Sequence, residues 1–275
     1  MRIQLVHVTR YDYQRPARSI LQLLRLTPRS HEGQQVVRWR MEFDADASVR
    51  KGEDPLGNIT HTAFAAGPVS SLAITVRGEV ETSDTQGVVR GAIERFPPEV
   101  FLRETPLTSA DAELRTYARD VGGTGGAESL GQLHALMLGL NRDVAFDPET
   151  TTTTTPAAAA FAQRRGVCQD HSNIFIAASR SLGIPARYVS GHLVRNDGVQ
   201  EQEAAHAWAE AYVPFLGWVG FDPTNGVSVT DAYVRVAVGL DYLGAAPVRG
   251  SRTGGGEEHL DVRLRVAHAS SQTQA

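Results

Sequence analysis

Alternation with a period of two dominates the first hundred residues. In VVRWRMEF (36–43), Val37, Trp39, Met41 and Phe43 fall on one side and Arg38, Arg40 and Glu42 on the other, as in a strand with one buried face. SLAITVRGEV (71–80) repeats the pattern with Leu72, Ile74, Val76 and Val80. The segments RLTPRSHEG and GEDPLGNIT punctuate these runs with turn formers. The region reads as an antiparallel sheet module.

The period changes after ERFPPEVFLRETP (94–106), where two prolines interrupt the alternation. A Thr108-Ser109 start with Asp111 in the first turn predicts a helix through Ala118. ESLGQLHALMLGLNRDV (128–144) predicts a second helix, with Leu130, Leu133, Met137 and Leu140 on one face. TTTTTPAAAA reads as a loop entering an Ala-rich turn or helix. From Cys168 to Leu182 helical spacing returns through Ile174, Ala177 and Ala178, ending at Gly183 and Pro185. Three strand-like runs follow: ARYVSGHLV, AAHAWAEAYV and GWVGFDPTNG. The tail is a Gly-rich linker and one alternating run, Leu260, Val262, Leu264 and Val266, which either returns to the sheet module or covers an edge. The expected organisation is an α+β chain: a β-rich module over 1–95, a core over 96–250, and a linker with a final strand over 251–275.

Cys168 is the only cysteine of the 275 residues. That excludes an internal disulfide framework and fits a reducing compartment. No uninterrupted apolar stretch of signal-peptide or membrane-spanning length occurs, so a cytoplasmic location and no membrane partner are expected. The formal charge of -4 offers no strong field for nucleic acid.

The thiol itself stands at a predicted helix N-terminus, whose partial positive charge favours a thiolate, as does a neighbouring imidazolium. In AAHAWAEAYV, alternation puts His206, Trp208, Glu210 and Tyr212 on one face and alanines with Val213 on the other, so a helix is expected to pack closely on one side. An imidazole serving a nucleophile also needs its second nitrogen held. Asp222 fits, because VPFLGW is a short turn that lets the two strands pair and brings residues 206 and 222 roughly level. His171, three residues after Cys168, is a competing neighbour without an evident orienting carboxylate and is assigned a packing or cleft role. Asp170 is expected to cap the helix or meet its dipole. Trp208 either walls the cleft or packs the strand, Trp218 belongs to the core, and Glu210 is solvated or salt-bridged.

RRGVCQDHSNIFIAASRSLGIPARYVSGH followed by AHAWAEAYVPFLGWVGFDPTNG resembles the transglutaminase-like superfamily of papain-like thiol enzymes, over about residues 105 to 230. LLRLTPRS and DPLGN are similar to the β-rich N-terminal region preceding that core in many bacterial members. The resemblance implies a nucleophile helix packed on an antiparallel sheet, with Cys168 as nucleophile, His206 as base and Asp222 as orienting carboxylate. It further implies attack of the thiolate on a carbonyl and a thioester resolved by water or an amine. The backbone amide of Cys168 is the expected oxyanion donor, with Gln163 and Gln169 as candidates for a second. The expected substrate is a peptide or protein. Scattered histidines without H-E-x-x-H, and DGVQEQE without the pattern of a calcium loop, lead us to expect no metal and no cofactor. Two other readings stay open: glutamine acyl transfer to an amine, and a non-catalytic scaffold on the same fold.

Overall fold

A computed structural model describes residues 1–123 and 129–269. The long strands β1 (Arg2–Thr27) and β4 (Ile59–Thr82) pair along most of their length, with β2 (Gln34–Phe43) and β3 (Ser48–Glu53) on the far side of β4. Leu72, Ile74, Val76 and Val80 are all buried. In β2 the expected face slips: a register shift between Val36 and Arg38 turns Val37 out, 41% exposed. An extra residue in one strand inverts the alternation beyond it. Trp39 then lies over Gly78, where any Cβ would sit 2.2 Å from its ring.

The tail completes this sheet. Strands β9 (Val248–Gly254) and β10 (Glu258–His268) both run antiparallel to β1, the first against Ala17–Leu24 and the second against Ile3–Tyr13. Ser251, Arg252 and Thr253, expected in a linker, are therefore ladder residues, and Gly254 still pairs with Ala17; only Gly255, Gly256 and Glu257 lie between the two strands, with the glycines 254–256 all at positive φ. Positive φ carries no Cβ penalty in glycine, so the chain kinks there and resumes. Leu264 and Val266 are buried while Leu260 is half exposed.

Among the described residues, four α-helices lie between the sheets in sequence: α1 (Ala112–Gly122), α2 (Ser129–Asp143), α3 (Ala157–Gln163) and α4 (Cys168–Ser181). Helix α1 starts later than expected, because Asp111 caps it by accepting the amide of Leu114 at 2.8 Å. Glu128, the first residue of the expected second helix, lies outside the described residues, and the alanines after Pro156 form α3. The second sheet joins β5 (Ala186–Leu193), β6 (His206–Val213), β7 (Gly217–Asp222) and β8 (Tyr233–Gly239) in the antiparallel order β7-β6-β5-β8. Ala207, Ala209 and Ala211 of β6 are buried in one apolar core with Ile174, Phe175, Ala177 and Ala178 of α4. Small side chains let the helix axis approach the sheet, as the alanine face of β6 predicts.

The opposite face of this sheet meets the N-terminal module. The Gln34 carboxamide accepts the amide of Arg235 at 2.7 Å and donates to its carbonyl at 2.9 Å. Asn58 does the same to Val238, at 2.8 Å in both directions. Both satisfy the open edge of β8, which strand pairing leaves free.

Candidate active site

Cys168 is the first residue of α4, half buried, and the turn before it is built tightly. The Asp170 carboxylate accepts the amide of Val167 at 2.8 Å and the hydroxyl of Thr151 at 2.6 Å on the same oxygen, Oδ2. Burial raises its pKa against these bonds. Gly166 makes room for it, since a Cβ there would lie 2.7 Å from Asp170 Cβ. Asp170 thus caps the helix, fixing the backbone that carries the thiol. A short parallel pairing of Ala145–Phe146 with Arg165–Gly166 leaves Phe146 62% exposed beside the strand that leads into Cys168.

His206 opens β6, at the end of the sheet where α4 begins. Its Nε2 lies 2.6 Å from Asp222 Oδ2, and its ring stands beside Trp208 and Tyr233. Burial pushes the imidazolium down, but hydrogen bonds to Asp222 and Cys168 and the charges of both outweigh it, raising the pKa to about 10. The raised pKa favours the charged imidazole at neutral pH, with Nε2 on the carboxylate.

Asp222, the last residue of β7, has no exposed surface. Besides His206, its Oδ2 accepts from Asn225 Nδ2 at 2.7 Å and from the Tyr233 hydroxyl at 2.8 Å. Oδ1 accepts the amides of Thr224 at 3.0 Å and Asn225 at 3.1 Å. Burial works to raise its pKa, yet the bond from His206 and the other donors hold it below the usual carboxylate value.

The remaining candidates separate clearly. Both ring nitrogens of His171 face backbone carbonyls, of Val167 and Val144, each at 3.0 Å, which ties that histidine to packing. Trp208 is buried with Val189, Tyr233 and Val238 and packs the strand. Trp218 is buried, with the Arg187 guanidinium 3.9 Å from its ring centroid. Glu210 is salt-bridged and fully buried, between Arg187 at 2.7 Å and Arg235 at 2.6 Å. Gln163 ends α3 exposed, whereas Gln169 is buried with Nε2 unpartnered among the described residues. Tyr233 and Thr151 carry no motif that would mark them in the sequence, and Asn225, inside GWVGFDPTNG, had no role read for it. Among the described residues no three His, Cys, Asp or Glu side chains gather as metal ligands, and no helix is long and apolar enough to cross a membrane.

Residues 115–223, which include Cys168, His206 and Asp222, match the transglutaminase-like superfamily, and residues 3–81 match the bacterial transglutaminase-like N-terminal region. Protein ML0607 of Mycobacterium leprae, described as uncharacterized, is 30% identical over 279 residues, which span 96% of this chain and 98% of that one. The chain belongs to the transglutaminase-like superfamily. A Cytophaga hutchinsonii protein, described provisionally as a cysteine protease, shares the fold of this transglutaminase-like chain with a TM-score of 0.80 at 19% identity, covering 99% of this chain and 92% of that one. The core is also 31% identical over 131 residues to a protein-glutamine gamma-glutamyltransferase of Pseudomonas aeruginosa, which is 42% of this chain and 19% of the relative.

Proposed function

We propose that this transglutaminase-like protein is a thiol enzyme that hydrolyses an amide or peptide bond in a peptide or protein substrate, with Cys168 as nucleophile, His206 as acid and base, and Asp222 as the group that orients His206. The observation that carries the reading is the 2.6 Å bond from His206 Nε2 to the buried Asp222 carboxylate, with Cys168 close enough to that ring to help raise its pKa. A charged imidazole beside a thiol at a helix N-terminus favours the thiolate. Attack by Cys168 sulfur on the substrate carbonyl forms a C–S bond. The C–N bond then breaks, and the leaving amine takes its proton from His206. Water, giving up a proton to His206, cleaves the thioester to a carboxylic acid and regenerates the thiol. The Cys168 amide at the first turn of α4 is a donor for the oxyanion.

Glutamine acyl transfer uses the same steps with an amine in place of water, and the similarity to the gamma-glutamyltransferase favours it as the second reading. Incubating the protein with a peptide mixture in H2-18O plus a biotinylated primary amine separates the two by mass spectrometry. Hydrolysis predicts 18O in new carboxyl groups, and transfer predicts the amine on glutamine side chains. Neither product, or products unchanged in Cys168→Ala, favours a non-catalytic scaffold.

A further inference from the structure

Tyr233 stands where the two halves of the molecule meet at the carboxylate of Asp222. It opens β8, is buried, and donates its hydroxyl to Asp222 Oδ2 at 2.8 Å. Its ring packs edge-on to Trp208 at 5.3 Å between centroids and leans on the His206 ring at 5.9 Å. Tyr233 therefore touches both members of the imidazole–carboxylate pair.

The backbone on either side of it is held by the N-terminal module. Two residues before Tyr233, the carbonyl of Asp231 accepts the hydroxyl of Thr82 from β4 at 2.5 Å. Two residues after it, Arg235 is clasped at both amide and carbonyl by the Gln34 side chain of β2. Gln34 is itself buried and held by the Arg29 carbonyl at 2.8 Å, so the clasp is not a loose surface contact. A buried, doubly paired carboxamide fixes strand position because losing either bond strands a polar group away from water. The nearby charges are already committed elsewhere. Arg235 turns onto Glu210, which also holds Arg187, and His31 Nδ1 meets the Glu32 carbonyl.

We propose that the N-terminal module is a positioning element of the active site: Gln34 and Thr82 fix the ends of the Tyr233 segment, and Tyr233 in turn fixes the Asp222 carboxylate against His206. The inference rests on the function proposed above only for its catalytic consequence; the coupling itself needs no substrate. In this account Tyr233 is a positioning residue, and the module is more than a cover for the edge of β8.

The experiment is a mutant cycle in the full-length chain, read by the rate of Cys168 alkylation with iodoacetamide across pH and by the NMR titration of His206. Tyr233→Phe and Gln34→Ala are each expected to slow alkylation at neutral pH about threefold and to lower the His206 titration, with near-ultraviolet circular dichroism unchanged. The double variant is expected to match Tyr233→Phe alone, since residues acting through one path do not add. Thr82→Val, which removes only a hydroxyl, makes the same prediction should Gln34→Ala fail to fold. An unchanged alkylation profile in folded Gln34→Ala or Thr82→Val overturns the proposal, as do effects that multiply in the double variant. Absence of enzymatic turnover with the coupling intact would instead count only against the function.

Discussion

Asp222 accepts five hydrogen bonds, two from backbone amides and three from side chains, in a place with no solvent access. Such saturation keeps a buried carboxylate ionised, because each donor offsets part of the lost hydration. Its hydrogen bond to the ring is the foremost of the effects that raise the His206 pKa. Asp222→Asn preserves the shape and removes the charge, so the His206 titration is expected to fall from about 10 toward the ordinary histidine value of about 6.5, as read by NMR. A titration that stays high would mean that Asp222 does not govern the ring. The thiol's own setting is equally local, since Asp170 can cap α4 only because residue 166 lacks a Cβ.

At the scale of elements, β6 explains why the site forms where it does. One face is alanine and admits α4; the other carries His206, Trp208 and Glu210, each with a separate task. Glu210 anchors the strand by pairing with two arginines in the interior. Glu210→Ala would leave Arg235 without its carboxylate and Arg187 held by Glu94 alone, and breaking a buried pair in this way costs about 3–5 kcal/mol. Urea denaturation should show that loss; a change under about 1 kcal/mol would assign the network to the solvated class. Much of this element was legible in advance. Strict alternation in β6 and the short VPFLGW turn suffice to bring His206 and Asp222 near one another, although the ladder pairs Ala209 with Phe221 and so sets Asp222 two residues off level with His206; the helical run after Cys168 locates the thiol at a helix start. The slip of β2 at Val36–Arg38 was not legible, because a bulge leaves no mark on composition. Nor was Tyr233, one more aromatic residue in a strand until the fold sets it against a carboxylate 11 residues away in sequence.

Across the whole molecule, the sheets and helices share one apolar core running from Ile3 to Val266, and the glycines 254–256 that look like a linker are a kink in a ladder along β1. The alternating tail left a return to the sheet module open, but its register was not legible, since pairing partners lie some 220 to 270 positions apart. Where β1 meets β5, His7 and His192 stand edge-on at 5.6 Å with both rings buried. Burial lowers their pKa values to about 4 and about 3. Both folded-state values lie below the unfolded value of about 6.5, so the unfolded chain takes up these protons first. The stability associated with the neutral rings is therefore complete above about pH 6.5 and declines as pH falls toward 4, by up to about 1.4 kcal/mol per pH unit for each ring. His206 has the opposite sign: its raised pKa supplies stability that is present below about pH 6.5 and lost as pH climbs toward 10. Replacing His7 and His192 with leucine should flatten the acid limb of a urea-midpoint profile and leave the alkaline limb unchanged. An acid limb as steep as the wild type's would place the acid sensitivity elsewhere.

The pairing of Cys168 with a charged His206 is the claim on which the function depends, and the alkylation rate of Cys168 against pH, in the wild type and in His206→Ala, tests it most directly. Rapid alkylation is expected already at about pH 6 in the wild type and a rate at least about tenfold lower in the variant, as for a thiolate held by an imidazolium. If both proteins follow one curve that rises only near the ordinary cysteine value of about 8.5, no such pair exists in solution and the proposed nucleophile is an unactivated thiol.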